Sequence, residues 1–122
     1  MKGDFNNLNK NTVTLAKKIY DIINGKSASS IQILDVHELT TLTDVFIIAV
    51  ASNIRQTQAI ADEIEKVLTS DKELILLQKE GGSTAKWILL DYGYVIVHIL
   101  HQEDAAFYAL DRLWKDAKVI TF

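Results

Sequence analysis

At 122 residues, with 48% hydrophobic and 24% charged residues, the chain has room for one domain with a substantial core. It contains no cysteine, which excludes disulfides and thiolate metal ligation, and its formal charge of −3 comes without any block of lysine and arginine for extended phosphate contact. The N-terminal residues show neither a signal-peptide nor a transit-peptide pattern, and no apolar run approaches the roughly 20 residues that span a bilayer, so a cytoplasmic protein is expected.

Residues 11–24 place Leu15, Ile19, Ile22 and Ile23 on one stripe of a helix, with Gly25 as its stop. A short strand follows over 30–36 and, after a polar connection at 38–43, a more apolar strand over 45–51. A second helix opens at Ser52-Asn53, where the Asn53 side chain caps the free amides and Gln56 reaches back; Ile60, Ile64, Val67 and Leu68 form its buried stripe. Residues 69–72 break that helix. A third strand is expected over 73–78, and residues 80–84 form a flexible connection.

Two further strands lie in Lys86-Trp-Ile-Leu-Leu-Asp-Tyr-Gly-Tyr-Val-Ile-Val-His-Ile-Leu-His101, joined at Asp91-Tyr92-Gly93. In the second of them Val95, Val97 and Ile99 alternate with Tyr94, Ile96, His98 and Leu100, so both faces are apolar and both need cover. A last helix over 103–117 carries Phe107, Leu110, Trp114 and Ala117, and residues 119–122 make a tail. The expected fold is one α/β domain, a three-layer α/β/α arrangement around a mixed five-stranded sheet.

Few residues assemble into recognisable catalytic patterns. His98 and His101, three apart on a strand, fall on opposite faces, and His37 sits in a separate loop, so a shared metal is not expected. Gly81-Gly82-Ser83 precedes a strand rather than a helix and lacks the lysine of a phosphate loop. The Gly-x-Ser-x-Gly nucleophile elbow and the Asp-x-Asp of two-metal phosphoryl transfer are both missing from the sequence. Trp87, Asp91, Tyr92 and Tyr94 remain as bulky and acidic groups about one hairpin, with Phe107, Tyr108 and Trp114 on the last helix, of which Phe107 and Trp114 are expected in the core. Side chains of these types anchor protein interfaces.

Leu34-Asp35-Val36, Leu42-Thr43-Asp44-Val45-Phe46, Arg55-Gln56, Ala59-Ile60-Ala61-Asp62, Trp87 to Gly93, Val97-His98, Phe107-Tyr108 and Leu113-Trp114 together resemble the ribosomal silencing factors, the Iojap family, over about residues 10–118. The resemblance implies a nucleotidyltransferase-like fold without the catalytic carboxylates, no enzyme activity and no cofactor. It implies a translation repressor that binds large-subunit ribosomal protein fourteen and blocks joining of the ribosomal subunits under nutrient limitation, and that is a homodimer when free. Trp87, Leu90, Asp91, Tyr92, Tyr94 and Tyr108 are the expected partner-binding residues, with little direct nucleic-acid contact. Two positions depart from the family pattern: Tyr94 replaces an acidic residue, and Ala105-Ala106 stand where an arginine and an acidic residue commonly precede Phe-Tyr. A nucleotidyltransferase-type enzyme and a direct RNA-binding module are the alternatives.

Overall fold

The computed structural model describes residues 8–82, 84–104 and 106–122. In chain order its elements are α1 (Lys10–Gly25), β1 (Ser30–Asp35), β2 (Val45–Ala51), α2 (Ile54–Leu68), β3 (Gln78–Glu80), β4 (Trp87–Asp91), β5 (Val95–His101), α3 (Ala106–Leu113) and β6 (Lys118–Val119). They build one sheet of order β3-β4-β5-β2-β1-β6. Among the described residues β2 and β5 pair in parallel and the other neighbours are antiparallel. These two strands hold the centre because their residues are apolar on both faces, and every residue of β2 is buried.

The alternation in β5 divides the core as expected. Val95, Val97 and Ile99 join Ile19 and Ile23 of α1 and Ile60, Ile64 and Leu68 of α2 on one side of the sheet. Ile96 and Leu100 join Leu34, Phe46 and Leu110 on the other, with Trp114 packed against them. The sheet therefore lies between two helical layers, α1 with α2 and α3 alone. Phe107, expected in that second core, lies outside the residues whose side chains are described.

The helix termini follow from local hydrogen bonding. Asn9 Oδ1 accepts from Asn11 N at 2.7 Å to start α1. Past Gly25 the left-handed position is taken by Ser27, at φ 57°. At α2, Asn53 Oδ1 accepts from Gln56 N at 2.8 Å, while Gln56 Oε1 reaches back to accept from Ser52 N at 2.7 Å. Gln56 Nε2 also donates to the carbonyls of Lys26 and Ser27, at 3.1 and 2.8 Å, so one side chain ties the start of α2 to the end of α1. Asn53→Ala is therefore expected to cost about 1 kcal/mol, and Gln56→Ala about 2 kcal/mol because it removes the return bond and the inter-helix tie together. Urea unfolding with the slope held fixed measures both.

Three element boundaries differ from the sequence expectation. The sheet has six strands, not five, because residues assigned to the tail pair with β1: Leu34 opposes Val119, and Ile120 N donates to Ile33 O at 2.8 Å. Burial of Ile120 explains the docking. The third strand occupies Gln78–Glu80 rather than 73–78. Its polar residues suit an open sheet edge, whereas Ile75 and Leu77 stay exposed beside it. The last helix is shorter than 103–117: Asp104 N bonds His101 O in a turn before it, and Ala117 N bonds Trp114 O in a turn after it. Within α2, Thr57 and Ala61 complete the buried stripe while Val67 is only half-buried.

Candidate functional site

The β4–β5 hairpin positions the expected contact residues, and strand parity decides which of them reach solvent. Ile88 and Leu90 point into the core shared with α1 and α2. Trp87, Leu89 and Asp91 point to the opposite side, where Leu89 packs at the margin of the smaller core. Trp87 remains 40% exposed, and Leu89 and Asp91 are half-buried.

Trp87 is held in place by a row of rings. Its Nε1 donates to His98 Nδ1 at 3.1 Å, with the ring centroids 5.8 Å apart. His98 meets Phe46 edge-on at 5.0 Å, and Phe46 meets Trp114 edge-on at 4.8 Å. The row runs from β4 across β5 and β2 to the chain just beyond α3. An exposed indole fixed in this way has little conformational entropy left to lose on binding.

Because Nδ1 of His98 accepts that bond, Nε2 carries the ring hydrogen. Nε2 is buried with no hydrogen-bond partner among the described residues. Burial disfavours the imidazolium and lowers the His98 pKa to about 4. Above pH 6.5 the ring is neutral in folded and unfolded chains alike, and stability from this group is complete. Between pH 6.5 and 4 the unfolded chain binds a proton that the folded one refuses, so stability falls by up to roughly 3 kcal/mol. His37 works in the other direction: the hydrogen bond from its ring to Asp35 raises its pKa, so its contribution is complete below its unfolded value and fades as pH rises through the folded one. Loss below pH 6.5 thus belongs to His98, and His98→Leu is expected to flatten the dependence of melting temperature on pH between 6.5 and 4.5.

The turn is built around Asp91 and Gly93. Asp91 Oδ1 accepts from Gly93 N at 2.8 Å, and Tyr92 N donates to Val95 O at 2.9 Å. Gly93 adopts φ 90°, a conformation that favours glycine. Thr43 Oγ1 donates to Gly93 O at 2.9 Å, and Asp44 N and Val45 N donate to Tyr94 O at 3.2 and 3.1 Å, so the turn is pinned to the end of the β1–β2 connection. Gly81, ahead of β4, has φ 100°, and a Cβ there would meet Trp87 O at 2.6 Å. This glycine is required by close backbone approach, a constraint at one end of the connection that was expected only to be flexible.

Two of the expected contact residues lie in the core rather than at the surface. Leu90 is fully buried among the α2-side core residues, because its position in β4 aims it away from Trp87. Tyr92 is only 8% exposed and packs into the same core; burial, with Glu65 adding its negative charge, raises its pKa to about 12. Tyr94 and Tyr108 are well exposed, the first at the turn and the second on α3. Trp87 and the turn lie at opposite ends of β4, about 13 Å apart at about 3.3 Å per residue. The hairpin therefore presents two surfaces rather than one.

Sequence reasoning did not find the second of these, lined at the turn by Leu42, Ile75 and Leu77 together with Tyr94. The available signal was Leu74-Ile-Leu-Leu77: four consecutive apolar residues in an extended segment cannot all point inward. It also missed the Asp35–His37 pair, whose Asp-x-His spacing was visible.

Fold and surface together define a small α/β/α domain with an exposed indole held on a row of packed rings. The chain belongs to the family described as "Ribosomal silencing factor during starvation", whose model matches residues 9–122. It is 38% identical over 93 residues to the ribosomal silencing factor RsfS of Bacillus subtilis, covering 75% of this chain and 77% of that protein. It is 33% identical over 98 residues to that of Halalkalibacterium halodurans, covering 80% and 83%. A crystal structure of a Bacillus halodurans protein matches the fold with a TM-score of 0.75 at 30% identity, covering 87% of this chain and 95% of that one. The family resemblance and the α/β/α class read from the sequence are both borne out, and translation regulation follows from the family. Among the described residues no helix is long and apolar enough to cross a membrane.

Proposed function

We propose that this protein silences translation in the cytoplasm by docking the outer face of β4 on large-subunit ribosomal protein fourteen, so that the small subunit cannot join. The observation that carries this reading is Trp87, 40% exposed yet fixed by its bond to His98. Large, pre-positioned indoles are the side chains that dominate binding energy at protein interfaces. Asp91 keeps one oxygen in the turn and offers the other to a lysine or arginine of the partner, and Tyr108 on α3 widens the contact.

The net charge of −3 favours approach to a basic ribosomal protein and disfavours direct capture of RNA. Occupancy alone produces the effect, so no bond is made or broken and no cofactor takes part. In the absence of ribosomes the same aromatic face pairs two copies, which makes homodimerisation and docking compete. Sedimentation of purified large and small subunits with increasing protein tests the reading. Joined particles should decline as protein approaches saturation of the large subunit, and unchanged joining at saturation refutes it.

A further inference from the structure

Two adjoining clefts of about 410 and 370 Å³ open at the turn end of the sheet, away from Trp87, and share Glu73, Ile75, Tyr92 and Tyr94. Four large apolar side chains stand around them mostly in solvent: Leu42 at 72%, Ile75 at 66%, Leu77 at 64% and Tyr94 at 66%. Such a gathering of exposed apolar surface is the mark of a binding region rather than of a solvated one. The 74–77 segment belongs to no strand, while Ile75 and Leu77 point outward and Leu74 and Leu76 are half-buried. Its geometry is anchored at Leu77 N, which donates to Asp91 O at 2.8 Å.

The rim decides the occupant. Among the described residues, Asp44, Asp71 and Glu73 line the clefts against a single cation, Lys18. A phosphate backbone would meet repulsion at three carboxylates. A second copy of this chain would bring the same carboxylates to the same place in a symmetric contact. A peptide with an apolar centre and basic flanks matches both the floor and the rim.

We propose that this cleft is a second docking surface, separate from the Trp87 face, which takes a lysine- or arginine-flanked apolar segment of a protein partner. Leu42, Ile75, Leu77 and Tyr94 receive the apolar centre, and Asp44 and Glu73 receive the cations. The assignment stands whether or not the Trp87 face blocks subunit joining.

The test titrates full-length protein with acetyl-Lys-Lys-Leu-Ile-Leu-Lys-Lys-amide, reading affinity by calorimetry and location by amide chemical shifts. Binding should move the resonances of Leu42, Ile75 and Leu77 and leave Trp87 unchanged. It should weaken at least about tenfold in Ile75→Ser, in Glu73→Lys and when glutamate replaces lysine in the peptide. Both substituted side chains are exposed, so melting temperature should hold and the variants remain interpretable. Absence of binding, equal binding in the variants, shifts centred on Trp87, or a dimer that Ile75→Ser dissociates would each overturn the proposal.

Discussion

Trp87→Ala should abolish the block on subunit joining at protein concentrations where the unmodified chain is fully effective. A fixed, exposed indole at the centre of a contact is expected to contribute at least about 2 kcal/mol, which corresponds to roughly a 30-fold loss of affinity for the large subunit. The substitution also removes the bond to His98 Nδ1, so some loss of folding stability accompanies it. Working above pH 7, where His98 is neutral in folded and unfolded chains, keeps a protonation change from adding to that loss. Trp87→Phe is the intermediate case, since it keeps a ring against His98 and loses the donor and part of the contact area, and its melting temperature reports the cost of the lost bond. Asp91→Asn supplies the electrostatic control: an amide oxygen can still accept from Gly93 N and preserve the turn, while the charge is lost. Its effect should be smaller, and salt should erase most of it. Full blockade by folded Trp87→Ala would remove the β4 face from the function.

The central fold was legible because its strands carry their environment in their composition. Alternating apolar residues on both sides of β5 require two cores, and the structure fills one with α1 and α2 and the other with α3. Asn53 and Gln56 announced the start of α2 through hydrogen-bond chemistry that needs no tertiary context. The edges were harder to read. Lys118–Val119 becomes a strand only because β1 has an open side to receive it, a fact that no window of local sequence contains. Residues 73–78 carry the short apolar run of a strand, but pairing shifts to the polar Gln78–Glu80 opposite Asp91, Leu90 and Leu89.

Which candidate contact residues reach the surface was half legible for a related reason. Residue type pointed to Trp87, Asp91 and Tyr94, whereas strand parity decided that Leu90 would turn inward. Trp87 and Leu90 are three apart in an extended strand, so they face opposite sides of the sheet. Tyr92 lies beyond the last residue of β4, and the turn folds its ring into the α2-side core beside Leu74, Leu76 and Glu65. Aromatic composition around a bend therefore identifies a region, and the side that each ring takes has to be read from the backbone.

Leu90 supplies the experiment that separates core from contact on this hairpin. It is fully buried, opposite Val97 in β5 and Lys79 in β3, and it shares the core with Ile64 and Leu68 of α2. Truncation to alanine removes its transfer energy and leaves a cavity in a strand that has little freedom to collapse. Leu90→Ala is therefore expected to lower unfolding stability by about 2–5 kcal/mol in urea titration. Leu90→Met, which conserves volume, should lose less than about 1.5 kcal/mol. Below the melting transition both variants should still bind the large subunit with close to unmodified affinity, because Trp87 and Asp91 lie on the other side of the strand. The opposite pattern, stable folding with weakened docking in Leu90→Ala, would require β4 to turn over on binding, and the rigid Trp87 face would not then be the contact surface.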